Sequence, residues 1–351
     1  MAWDKKNDFG KELRELKTAL RRKCIERMYI FYGEETFLLH HYLGQIKKLL
    51  IEDLTESFNY SKFTKENFDI QAFADAVESL PMMAEHTMVC VDDVDIFKLP
   101  EPERVRLAEI FADIPEYCCV VFTYETTLWK PDKRLKKFYD SLMAAATVVE
   151  FPKQEQRDLI AWITRHFGAN QKRISPELCS YLIDITGGTM TSLAGEISKI
   201  CAYSEADTIV KSDIDAVTEP VLDAVVFQMT DLLGEGKYGA ALAKLQQLLK
   251  MQEDPIQILG AIGGHIRRLG VARTMLDNGK TATDMMRLYN GNSEYMYRKI
   301  MATAKNFSPH FCTMAAELVM ETDRQMKTSF DVPERLLELL LLRLSQEARN
   351  D

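Results

Sequence analysis

Two short stretches place residues where a nucleoside triphosphate is held in other proteins. Met28-Tyr-Ile-Phe-Tyr32 is an apolar β-type run that meets Gly33, and a helix-like segment follows at once. Strand, glycine and helix make the setting of a P-loop. Its G-x-x-x-x-G-K-[ST] motif offers backbone N–H groups and a lysine to phosphate and a hydroxyl to magnesium. Counting from Gly33, the second Gly, the Lys and the hydroxyl fall at 38, 39 and 40, where the chain has Leu38, Leu39 and His40. Glu34 and Glu35 stand where phosphate would approach, and their charge repels it. The helix is expected to begin right after Gly33 and to bury Phe37 and Leu38. The second stretch is Met88-Val-Cys-Val91 followed by Asp92 and Asp93. Apolar residues leading into carboxylates form a magnesium-holding strand end. A half-buried strand that ends in solvated aspartates has the same pattern.

No other catalytic set is apparent. The six histidines are scattered, without H-x-x-x-H or H-E-x-x-H spacing, and His40 and His41 point to different helix faces. The seven cysteines show no C-x-x-C spacing. Several sit inside apolar runs and read as buried reduced thiols. No metal and no cofactor are expected.

The elements that must position these residues change character along the chain. Strand-like runs at 28–32, 58–63, 87–92, 118–123 and 147–151 alternate with helical patterns at 35–50, 69–79, 102–113 and 132–143. Such alternation predicts a parallel sheet covered by helices on both faces. After FPKQEQ at 151–156 the strand signals stop. Residues 157–217 read as short helices, one opening at Ser175-Pro176 and another following the Gly187-Gly188 break. From Val221 onward the apolar residues keep i, i+3, i+4 spacing in longer helices, with Pro255 and Pro333 at two helix starts. The expected layout is an α/β domain over 1–153, a small helical domain over 154–220 and a larger helical domain over 221–351.

The totals set limits. The chain has 351 residues, of which 46% are hydrophobic and 28% charged, which suits two or three globular domains. A net charge of −9 argues against a protein that coats nucleic acid through a basic surface of its own. It leaves DNA contact inside a larger assembly open. No run approaches the ~18 apolar residues of a membrane span. The charged opening MAWDKKNDFGKELREL has no apolar h-region, so no secretory signal is expected. A cytoplasmic location and no membrane partner follow as expectations.

Six segments, in order, resemble the delta subunit of the bacterial DNA polymerase III clamp loader. They are YIFYGEETFL at 29–38, SFNYSKF at 57–63, SLPMMAEHTMVCVDD at 79–93, DKRLKKFYDSL at 132–142, GGTMTSLAGEISKI at 187–200 and ETDRQMKTSF at 321–330. The resemblance implies a degenerate AAA+ module: a RecA-like α/β domain, a helical lid and a C-terminal helical collar. It implies a non-catalytic subunit of a nucleotidyltransferase complex that binds and opens the sliding clamp for loading onto primed DNA. The implied partners are the clamp, the ATPase and delta-prime-type loader subunits met through the collar, and primer-template DNA within the assembled loader.

The family inserts two adjacent hydrophobic side chains into a clamp pocket. Those positions match Met82 and Met83, with Leu80 beside them, after the helix-ending Pro81. The family more often carries Leu-Phe there. Met is apolar, unbranched and deformable, which suits an adaptable docking surface. Read from the residues alone, Met82 and Met83 are favoured as core positions entering the strand at 87–91, and only the resemblance reverses that preference. Two other functions stay open: an active AAA+ ATPase with a divergent nucleotide site resting on Asp92 and Asp93, and a helical adaptor unrelated to the clamp. The basic run WKPDKRLKKFYD fits a DNA backbone contact or a solvated face. Arg267, Arg268 and Arg273 fit subunit contact, solvation or DNA.

Overall fold

The computed structural model describes residues 11–289 and 294–350. The chain divides into two compact units, with the division falling between Lys153 and Gln154 in the sequence.

In the first unit, α1 (Lys11–Arg22), β1 (Met28–Tyr32), α2 (Thr36–Leu50), α3 (Glu56–Asn59) and β2 (Tyr60–Thr64) come first. They are followed by α4 (Ile70–Glu78), β3 (Thr87–Asp92), α5 (Glu101–Ala112), β4 (Cys118–Tyr124), α6 (Lys136–Ala145) and β5 (Thr147–Glu150). The strands form one sheet in the order β2-β3-β4-β1-β5, with every pairing parallel. Parallel strands need crossover helices, and these cover both faces, which is why β1, β3 and β4 read as continuous apolar runs.

The period-2 alternation of a strand assigns each side chain to a face. Met28, Ile30, Val89, Val91, Val120 and Phe122 point to one core, shared with Phe73 and Val77 of α4, Leu107 and Phe111 of α5, and Phe138 and Leu142 of α6. Tyr29, Phe31, Met88, Cys119, Val121 and Val149 point to the other, shared with Leu16 of α1 and with Leu39 and Ile46 of α2. The seven-residue spacing of Leu39 and Ile46 brings both under the sheet after two helical turns. Leu39 is therefore the fully buried residue near the start of α2, and Phe37 and Leu38, expected to be buried, are only half-buried.

The second unit is entirely helical apart from one bridge between Arg173 and Thr208. It runs α7 (Gln156–Ala169), α8 (Pro176–Thr186), α9 (Met190–Tyr203), α10 (Lys211–Val217), α11 (Leu222–Gly234) and α12 (Tyr238–Lys250). It continues with α13 (Pro255–Asp277), α14 (Ala282–Leu288), α15 (Glu294–Ala304), α16 (Pro309–Thr328) and α17 (Pro333–Asn350). The expected α/β domain followed by an all-helical region is the architecture the chain forms.

Three of these helices start alike. Ser175, Asp254 and Ser308 each accept a backbone N–H from the first turn, and a proline follows at the first helical position. A cap oxygen satisfies an orphan donor, and proline has no N–H to leave unpaired. Helix α8 ends at Gly187, whose φ of +77° is the left-handed conformation that glycine enters without strain. One apolar core joins α11 to α17, built on residues such as Val225, Leu245, Ile262, Leu269, Phe311, Leu337 and Leu344.

Candidate functional site

The nucleotide frame is closed by its own backbone. Phe151, just past β5, donates its N–H to Tyr32 O at 2.7 Å, and its carbonyl accepts the N–H of Glu35 at 3.0 Å. The turn between β1 and α2 is thus tied to the neighbouring strand end and does not form a cradle. Gly33 sits in that turn with φ +138°, and a Cβ built there would lie 2.2 Å from Phe151 O. Only glycine fits such an approach.

Glu35 is 6% exposed at the N-terminal end of α2. Burial pushes its carboxyl up, against the pull of the Phe37 backbone N–H and the Lys153 charge. A helix N-terminus is a ready anion site. Here a buried carboxyl of the protein itself stands at that end of the helix, which disfavours a phosphate beside it. Glu34 is exposed.

Asp92 and Asp93 are committed to other partners. Asp92 pairs with Lys62 Nζ at 2.7 Å, and its Oδ1 accepts the Thr123 hydroxyl at 2.7 Å and the Cys90 thiol at 3.2 Å. Burial alone would raise this carboxyl, but the bonds from Lys62 and Thr123 outweigh it, and it sits below its ordinary value. Asp93 has φ +58° and accepts backbone N–H groups of Glu125, Thr126 and Thr127 at 2.8 to 3.0 Å, together with the Thr126 hydroxyl. These bonds likewise overcome the effect of burial and depress it. Asp93 therefore pins the loop after β4, and its charge is spent on backbone donors. Among the described residues no group of three His, Cys, Asp or Glu is arranged to hold a metal. His40 pairs with Glu125 at 2.9 Å, while His41 meets Gln45 at 2.9 Å.

The loop between α4 and β3 has the opposite character, being open and apolar. Helix α4 begins at Asp69, whose carboxylate takes the Ala72 N–H at 2.8 Å, and ends at Glu78, whose carbonyl accepts the Tyr117 hydroxyl at 3.0 Å. Ser79 leaves the helix in an extended conformation, and Pro81 forbids its continuation. Leu80, Met82 and Met83 are 70%, 54% and 92% exposed, so none of them is a core residue of β3. Met83 has φ +54°.

The loop is tied down by a residue that the sequence does not flag. Asn59, at the end of α3 and 2% exposed, donates from Nδ2 to Met82 O at 2.9 Å, and its Oδ1 accepts Met82 N–H at 2.7 Å. Two exposed apolar side chains, Leu54 and Phe58, precede it. The one available hint was compositional: asparagine is poorly suited to the strand interior in which the SFNYSKF run would place it.

The basic segment lies on the surface. Lys130, Lys133, Lys136 and Lys137 are exposed, and Arg134 pairs with Asp132 at 2.8 Å. In the helical unit Arg273 is paired with Asp277, and Arg267 is exposed. Among the described residues no helix is long and apolar enough to cross a membrane.

Two family models match the chain. The model described as the DNA polymerase III delta subunit covers residues 29–152, and the one described as the C-terminal domain of that subunit covers 223–344. DNA polymerase III subunit delta of Bacillus subtilis is 25% identical over 344 residues, which is 95% of this chain and 97% of the relative. The probable DNA polymerase III subunit delta of Aquifex aeolicus is 21% identical over 342 residues, covering 94% and 95%. The solved Bacillus subtilis DNA clamp loader delta protein superimposes with a TM-score of 0.63 at 23% identity, covering 95% of this chain and 99% of that one.

Proposed function

The chain belongs to the DNA polymerase III delta-subunit family, and from that premise we propose that it is the subunit that grips the sliding clamp and springs it open without hydrolysing ATP itself. The observation that carries the reading is the exposure of Leu80, Met82 and Met83 on a loop at the family's clamp-binding position. Large apolar side chains presented together on a loop are anchors in search of a pocket.

The mechanism is a wedge. Burying Leu80, Met82 and Met83 in the clamp favours the open ring interface over the closed one, and only that difference in affinity shifts the equilibrium. ATP binding in neighbouring subunits exposes or hides the wedge. The closed Gly33–Phe151 turn and the carboxylate of Glu35 support a role for the α/β domain as a scaffold in a ring of ATPases. Residues 154–220 act as the lid and 221–351 as the collar that joins the ATPase and delta-prime-type subunits. The separate apolar core of α11 to α17 supports that division. Primer-template DNA is met only within the assembled cytoplasmic loader.

The test is whether the purified chain binds the sliding clamp in the absence of nucleotide. Submicromolar binding is expected, and no binding at tens of micromolar would remove the basis of the proposal.

A further inference from the structure

We infer that Asn59 is the positioning residue that holds the Leu80–Met83 loop in its docking shape, an inference that rests on reading this loop as the clamp-binding element. The carboxamide of Asn59 pairs with both main-chain groups of Met82, at 2.9 and 2.7 Å. This is one rung of a β-ladder with a side chain in place of a strand. Asn59 is itself buried, so it does not touch a partner and acts through the loop.

The next residue shows why a clasp is needed. Met83 stands at φ +54°, a region about 5- to 30-fold disfavoured for a residue with a Cβ. Its side chain is 92% exposed, so packing does not hold it there. The constraint comes from the main chain on either side, and on the N-terminal side that chain is Met82, fixed by Asn59. Strain of this kind persists only where the surroundings over-determine it.

The consequence for docking is kinetic. Without the clasp the loop relaxes toward ordinary backbone conformations, and the fraction ready to dock falls. Apparent affinity falls with that fraction. The loss appears in the association rate, because a loop already docked makes the same contacts. Truncating Met82 and Met83 acts on the other rate, since lost contacts mostly speed dissociation.

The experiment is capture of the sliding clamp by three full-length chains: wild type, Asn59→Ala and Met82→Ala/Met83→Ala, each with a melting curve. Amide hydrogen exchange at residue 82 is followed alongside. Asn59→Ala is expected to associate about 5- to 30-fold more slowly, with dissociation within twofold of wild type. The Met82 amide is expected to be protected in wild type and to lose protection in the variant. Unchanged association of a folded Asn59→Ala chain overturns the inference. If Asn59→Ala does not fold, the wild-type chain decides. Protection at Met82 well above its loop neighbours supports the clasp, and exchange at their rate overturns it. Wild type that fails to bind the clamp, or a double methionine variant that binds like wild type, removes the docking reading instead. The exchange of Met82 then still reports whether Asn59 holds the loop.

Discussion

Truncating both wedge methionines should weaken clamp binding by about 30- to several-hundred-fold while leaving the fold alone. The magnitude follows from how much of each side chain is still free to be buried. Complete burial of a Met side chain is worth about 1.5–3 kcal/mol. Met83 is 92% exposed and has nearly all of that to gain, whereas Met82, at 54%, has about half. The pair is then worth roughly 2–4 kcal/mol, and about 1.4 kcal/mol corresponds to a factor of ten. Surface truncations away from packed features shift stability by only about ±0.5 kcal/mol, so the double variant should melt like wild type. Glu85→Ala, at an exposed charge nearby, should cost far less and act mainly on salt dependence. The assay is calorimetry or surface capture of the clamp, with circular dichroism as the folding control. Two results would refute the reasoning: a double variant that melts early, which would make the methionines core, or one that melts normally and binds within threefold of wild type.

Titration of the isolated chain with Mg-ATP should show no saturable binding, because the buried Glu35 carboxyl stands at the N-terminal end of α2 and Phe151 ties the turn shut; micromolar affinity would refute this. Acid should destabilise the helical unit through His265, which is 2% exposed beside the Phe227 ring, its Nε2 without a hydrogen-bond partner, and which burial, aided by the Arg268 charge, pushes down from 6.5 to about 3. The unfolded chain takes a proton that the folded chain refuses, so this contribution is full above pH 6.5 and is lost as the pH falls toward 3. Between pH 6.5 and 5 the loss is about 2 kcal/mol, and His265→Leu should flatten that slope in melting curves; equal slopes would sink the assignment. Residues 221–351, which enclose the core of α11 to α17, should fold when expressed alone and co-purify with the collar domains of the ATPase subunits. A well-folded fragment that fails to do so would place the assembly surface elsewhere.

The middle of the sheet was legible because β1, β3 and β4 are buried on both faces. Met28–Tyr32 and Thr87–Asp92 stand where the apolar runs put them, since nothing local competes with that signal. Where a side chain has a distant partner, the reading slips. The strand expected from residue 58 begins at Tyr60, because Phe58 and Asn59 close the short helix α3 and Asn59 is used by a residue 23 positions away. The helix expected from 132 begins at Lys136, because Asp132 and Arg134 hold a turn instead. Helix α1 was not anticipated, although Leu16 on its inner face is fully buried. In the candidate site, the missing phosphate grip and the apolar Leu-Pro-Met-Met step could be read directly. The clasp on Met82 and the left-handed turn at Met83 could not, since a methionine carries no local preference for that conformation. Asp92 and Asp93 looked like candidate metal ligands because a sequence shows carboxylates but not their donors, and those donors lie some 30 residues away on another strand and its loop.

The burial of Leu39 carries a consequence for the history of such a domain. It occupies the position at which a phosphate-gripping lysine would be counted from Gly33, and it is wholly enclosed beneath the sheet. Lysine is almost never found fully buried without a partner, because its charge must leave water. Writing the motif back into this chain would therefore drive an ammonium group into packed hydrocarbon before any nucleotide could reward it. Each apolar side chain packed at this position strengthens the scaffold and raises the barrier to installing a phosphate grip. Leucine and isoleucine can exchange there at little cost, but an ATP site would require rebuilding the strand, the turn and the helix together.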